Sequence, residues 1–106
     1  MNTSHNKYDS IENLIYNEGL KIESIEFNPP HSKLYIYLTN DLTFIVPTRL
    51  YKNLKKAPTK QLENYRLIGN GTGIQWPDLD EDLSLKGFLK EFLRQVVNKK
   101  SELVIS

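Results

Sequence analysis

The chain is 106 residues long, 39% hydrophobic and 25% charged, which is the make-up of one globular domain able to bury about 65% of the surface its unfolded form exposes. It contains no cysteine, so disulfides, thiolate nucleophiles and cysteine-ligated zinc are excluded together. No apolar run approaches the roughly 18 residues of a membrane span and no secretory leader follows Met1, so the expectation is a cytoplasmic protein with no membrane partner.

Net charge is +1 but falls in blocks. Residues 1–47 carry a net of −3, residues 49–66 a net of +5, residues 78–82 a net of −4 and residues 83–106 a net of +3. Such segmentation suits complementary contacts with another macromolecule more than wrapping of a polyanion, although the basic block keeps the latter open.

Residues 1–18 read as an N-terminal extension with a short helix, 19–98 as a single α+β domain and 99–106 as a C-terminal tail. In the extension, Ile11, Leu14 and Ile15 repeat at helical spacing, Asp9 with Glu12 forms a capping box, and Gly19 is a stop. Leu20 to Phe27 reads as a strand, but Leu20 and Ile22 have the opposite parity to Ile25 and Phe27, which predicts a bulge or a late start near Ser24. Asn28-Pro29-Pro30 breaks it. From Lys33 to Thr39, Leu34, Ile36 and Leu38 share one face, and after an Asn40-Asp41 turn Leu42, Phe44 and Val46 form a matching face.

Thr48 is placed to cap a two-turn helix with Leu50, Leu54 and Ala57 inward and Arg49, Lys52, Lys55 and Lys56 outward. Pro58 ends it, and Thr59 is placed to cap another short helix carrying Leu62. The fold expected is α+β: a three-stranded antiparallel meander plus a short hairpin, packed with two short helices and a long amphipathic C-terminal helix.

The most particular stretch is Leu67 to Leu85, LIGNGTGIQWPDLDEDLSL. Asn70-Gly71 can take positive φ at both turn positions and predicts a hairpin between Ile68 and Ile74. Trp76-Pro77 stops the second strand, a loop with four carboxylates follows, and Ser84 caps a helix with Leu83 placed to staple onto Phe88. These residues, with the Lys33–Pro47 hairpin upstream, resemble the bacterial family called domain of unknown function 2442 over about residues 20 to 90. The chain differs from that pattern in carrying Gln75 where histidine is common and Asn40-Asp41 where a turn glycine is usual. The resemblance implies an α+β domain, no established activity, and frequent encoding beside a second small protein in modules that look like toxin and antitoxin pairs.

The last helix, Leu85 to about Asn98, carries Leu85, Phe88, Leu89, Phe92, Leu93, Val96 and Val97. At about 100° per residue these span about 180°, wider than the stripe of a helix lying on one sheet. Either the helix is deeply sunk or it has a second surface to meet; the width and Gly87, which would permit close approach, favour the second, including a homodimer through this helix. The tail Leu103-Val104-Ile105 is a further apolar patch that needs a partner.

Asp78, Asp80 and Asp82 have the spacing of the front of a calcium loop, but Leu83 and Leu89 stand where that loop wants glycine and glutamate. The glycines of 69–73 match neither a dinucleotide fingerprint nor a phosphate loop. His5 and His31 have no partner visible in the sequence, and no base, nucleophile or metal set converges. The expectation is therefore no enzyme, no metal and no cofactor.

What remains is binding. Trp76 beside Asp78, Asp80, Glu81 and Asp82 has the composition of an interface anchor with an acidic rim, although Trp76 suits a core-capping place, where the hairpin meets the last helix, better. Arg49, Lys52, Lys55, Lys56, Lys60 and Arg66 could contact nucleic acid or an acidic partner. The function expected is a protein-binding module, the antitoxin-like or regulatory member of a two-component bacterial pair. The alternatives are a nucleic-acid-binding regulator and a phage-encoded inhibitor of a bacterial defence complex.

Overall fold

The computed structural model describes residues 7–98 and 104–105; His5 and Leu103, singled out above, lie outside them. The chain begins with α1 (Ser10–Glu12), which runs into a π-helical turn over Asn13–Asn17. Asp9 accepts from the Glu12 N–H and Glu12 from the Asp9 N–H, so the predicted capping box is present. Gly19 follows at φ 82°, ending the helix as expected.

Three strands form the meander: β1 (Ile22–Asn28), β2 (Lys33–Leu38) and β3 (Thr43–Pro47). The pairing of β1 with β2 slips between Ile22 and Ser24, which is the bulge that the parity change required and which brings both Ile22 and Ile25 inward. Leu34, Ile36, Leu38, Phe44 and Val46 are buried together, whereas Leu42 lies ahead of β3 and is exposed.

Two short helices follow, α2 (Lys52–Lys55) and α3 (Thr59–Glu63). Neither threonine caps them. Thr48 sits in a 3-10 turn and is buried, with both its N–H and its hydroxyl donating to the Ser32 carbonyl. Pro58, not Thr59, occupies the cap position of α3, because its extended backbone directs the chain into the turn. Leu54 and Leu62 point inward as predicted.

A second antiparallel sheet comprises β4 (Arg66–Ile68), β5 (Gly73–Trp76) and β6 (Glu81–Ser84), in that order. The hairpin joining β4 and β5 has a four-residue loop in which Gly69, Asn70 and Gly71 all have positive φ. β6 corrects the expectation of a plain acidic loop: after a 3-10 turn over Pro77–Leu79 and a left-handed Asp80, Glu81 and Asp82 pair with Trp76 and Gln75. Then α4 (Leu85–Asn98) runs to the predicted end, its first turn capped by the Ser84 hydroxyl, which accepts from the Gly87 N–H at 2.9 Å. Finally β7 (Val104–Ile105) pairs with β3, so the larger sheet has the order β1-β2-β3-β7.

One core joins these parts. The inner face of the larger sheet packs with Leu85 and Phe88 of α4, Ile15 of the N-terminal helix, Leu54, Leu62, Ile74 and Trp76. Ile15 is only 1% exposed, so the helix of the N-terminal extension is part of the core. None of the helices among the described residues is long and apolar enough to cross a membrane.

Candidate interaction surface

α4 carries two apolar seams. Leu85, Phe88, Phe92 and Gln95 lie within about 80° of one another around the helix and face the core, with Phe92 stacked on Phe44 at 6.1 Å between ring centroids. Val96, Leu89, Leu93 and Val97, in that order around the helix, form a second seam turned progressively away from the first. Toward the C-terminal end of α4 its residues are exposed: Leu93 51%, Val96 54% and Val97 79%. The over-wide stripe is thus part core and part exposed: its C-terminal residues are not buried by the domain. Gly87 plays no part in it, since it is exposed and only Ser84 Oγ approaches it.

The N-terminal half of the second seam is covered from within the chain. Lys86, on the same side of α4, holds Glu12 at 2.8 Å and Asp9 at 3.3 Å, fastening α1 alongside. The Lys86 ammonium, ahead of the Asp9 N–H, holds the Glu12 carboxyl below its ordinary range. For Asp9 the Glu12 N–H is the main cause of the lowering, and Lys86 adds to it. Where α1 ends, a hollow of about 410 Å³ opens between the N-terminal segment, the β2–β3 hairpin and α4. Leu14, Leu20, Leu42, Phe44 and Leu89 line it, with Glu18 and Asn40 at its rim. One turn further along α4 the uncovered Leu93 begins.

The residues singled out in the sequence lie elsewhere. Trp76 is 0% exposed and its indole Nε1 donates to the Leu62 carbonyl at 3.0 Å, so it caps the core and is not a surface anchor. Asp78, Asp80 and Asp82 are exposed around the β5–β6 turn, and Asp78 accepts from the Asn64 side chain at 2.8 Å. Glu81 is half-buried in β6. Among the described residues no group of three or more His, Cys, Asp or Glu could hold a metal ion. β6 (Glu81–Ser84) separates this turn from Leu85, and about 18 Å of helix separates Leu85 from Val97.

Arg49 is exposed on the turn before α2, Lys52 and Lys55 on α2, Lys56 just after it and Lys60 on α3. Among the described residues, no carboxylate forms an ion pair with any of the four lysines. Arg66 instead donates to Gln75 across the β4–β5 pair at 2.6 Å. A smaller hollow of about 220 Å³ lies between Tyr51, Asp82 and Phe88, and burial, ahead of Glu91 and Glu81, pushes the Tyr51 hydroxyl up to about 12. Tyr51 packs edge-on against Phe88 and so belongs to the core boundary.

Residues 22–94 match the family model described as protein of unknown function (DUF2442). The chain belongs to the DUF2442 family. A crystal structure of a protein of unknown function from Rhodospirillum rubrum is 30% identical, covers 68% of this chain and 87% of its own, and superposes with a TM-score of 0.62. A solution structure of an uncharacterized protein from Chromobacterium violaceum is 21% identical, covers 91% of this chain and 96% of its own, and has a TM-score of 0.64; at that identity it shows the fold alone. No curated protein matches the chain. Within the DUF2442 match lie β1 to β6 and, on α4, Leu85, Phe88, Phe92 and Leu93, while α1, Gln95, Val96, Val97 and β7 fall outside it.

Proposed function

We propose that this DUF2442 protein is a non-enzymatic protein-binding module, acting as the antitoxin-like or regulatory member of a two-component pair. The observation that supports it is the second seam of α4, where Leu93, Val96 and Val97 are exposed. Large aliphatic side chains exposed in one row favour association, because docking removes that area from water at about 25 cal/mol per Å². The two-component assignment adds the family resemblance read from the Trp76-Pro77 region. Tagged protein isolated from its host is expected to bring down one protein in stoichiometric amount, and Val97→Asp to release it. Recovery of the chain with no such protein overturns the reading.

A second reading, a nucleic-acid-binding regulator, is favoured by the lysines of α2 and α3, which no carboxylate neutralises among the described residues. Four phosphate contacts give log K a slope of about −3.6 against log salt on duplex DNA. Binding that is absent, or insensitive to salt, removes it.

A further inference from the structure

We propose that the hollow between the N-terminal segment, the β2–β3 hairpin and α4 binds a small amphiphilic cation, an apolar body carrying one ammonium group that pairs with Glu18. The lining includes none of Leu93, Val96 and Val97, so the site goes beyond the partner reading and stands without it.

The hollow has the dimensions of a small-molecule site, about 410 Å³. Leu38 and Phe44 on its lining are each 2% exposed, whereas Leu14 and Leu42 are each 40% exposed. Leu20 and Leu89, partly buried against the core, complete the apolar wall. An apolar body seated there leaves water and at the same time covers two exposed leucines, so burial favours binding from both sides.

The backbone beside the hollow departs from regular structure. The helix begun at Ser10 widens into the π-helical turn over Asn13–Asn17, closed by the Glu18 N–H donating to the Asn13 carbonyl at 3.0 Å. Such turns are rare and are found frequently at functional sites. This one buries Ile15 in the core while Leu14 and Glu18, four residues apart, both line the hollow. Gly19 follows at φ 82°, and a Cβ there would meet nothing within 4 Å, so the space beside it is unfilled. The facing wall is tied in place: the Thr39 hydroxyl donates to the Gly19 carbonyl at 3.4 Å and the Thr39 N–H to the Lys21 carbonyl at 3.0 Å. The hollow is therefore held by the fold before any ligand arrives.

Charge decides the class of ligand. Glu18 is the single ionisable residue of the lining, and among the described residues its carboxylate is in no ion pair. Lys21, the lysine nearest to it in sequence, is engaged elsewhere: its ammonium donates to the Ile15 carbonyl at 2.6 Å and stands 5.7 Å from the Tyr16 ring centroid. The Asn40 side-chain oxygen already accepts from the Leu42 N–H at 3.2 Å. Residues 1–47, which supply all of the lining except Leu89, carry a net charge of −3. An anion would be repelled by Glu18 and by this field, whereas an ammonium brings three donors and the opposite charge.

Titration of the full chain with n-octylammonium, n-octanol and n-octanoate, each below its aggregation threshold and followed by amide NMR, tests the site. Saturable shifts are expected at Leu14, Gly19, Leu42 and Leu89. Octylammonium should bind roughly threefold tighter than octanol, the preference that a solvent-exposed ion pair supports, and octanoate should bind most weakly. Glu18→Gln should bring octylammonium to the octanol affinity and leave octanol unchanged. Leu42→Asn, at a position 40% exposed and ahead of β3, should weaken all the probes with an unchanged melting temperature. No saturable shift at these residues up to the solubility of the probes overturns the proposal. So do shifts of equal size at Leu93, Val96 and Val97, the mark of adsorption on any apolar surface, and an ammonium preference that survives Glu18→Gln. A hollow that responds only to a peptide with adjacent leucine and lysine would belong to a protein partner, which refutes the small ligand.

Discussion

The Tyr65 hydroxyl faces the main chain of Ile25 on the open side of β1, accepting from its N–H at 3.3 Å and donating to its carbonyl at 3.1 Å. One side chain thus satisfies both polar groups that the edge strand leaves unpaired there. Tyr65→Phe removes both bonds and keeps the ring. It should cost about 1 to 3 kcal/mol in chemical denaturation and speed amide exchange at Ile25. Unchanged exchange at Ile25 would show that the contact carries no stability.

Trp76 joins the second sheet to α3 through its bond to the Leu62 carbonyl. Trp76→Ala leaves a core void and an unpaired carbonyl, and should cost about 3 to 5 kcal/mol, a large share of the stability of a domain this size. Trp76→Phe should cost less while still losing the bond. A Trp76→Ala protein that melts like wild type would contradict its place in the core.

Gly71 and Gly19 both hold positive φ, at 86° and 82°, but in different surroundings. A Cβ on Gly71 would lie 2.8 Å from the Ile22 carbonyl oxygen, whereas one on Gly19 would meet nothing within 4 Å. Gly19→Ala should therefore cost only the left-handed backbone penalty, about 1 kcal/mol, and Gly71→Ala distinctly more because the hairpin loop must move off β1. Equal melting temperatures for the two variants would refute the close approach.

The Lys86 clamp makes a pH prediction whose sign follows from the shifts. Asp9 and Glu12 are lowered, so their contribution is present above the ordinary carboxylate range and fades as pH falls through their folded values. Lys86 is raised, so its contribution is present below 10.5 and fades as pH rises through its folded value. Lys86→Met should bring the Glu12 titration, followed by NMR, up toward 4.5, while Asp9 moves less because the Glu12 N–H is the main cause of its shift. A Glu12 titration that stays put would show that the clamp is absent in solution.

Where a local pattern sufficed, the sequence was legible. Seven apolar residues at helical spacing and Ser84 bounded α4, the Asp9–Glu12 pair bounded α1, and a change of parity located the bulge after Ile22. What depended on distant partners was not. β6 has one apolar residue, Leu83, among acids and becomes a strand only because β5 offers it a ladder. Trp76 looked free to be an anchor because its partner Leu62 is 14 residues away. Thr48 matched a cap by type, yet the left-handed Ser32 placed a carbonyl within its reach first. The wide stripe on α4 indicated more apolar surface than one sheet could bury, but which of its residues would stay exposed depended on where Lys86 fastens α1.

The larger sheet has its two outer strands closed by different means. Beyond β1 stand the Tyr65 hydroxyl and the loop around Gly71, both fixed by the core. Beyond β3, among the described residues, stand the two residues of β7. One flank of the sheet is thus shielded by a core-fixed side chain and loop and the other by a two-residue strand, so a variant lacking Val104 and Ile105 would present the edge of β3 for pairing with another chain.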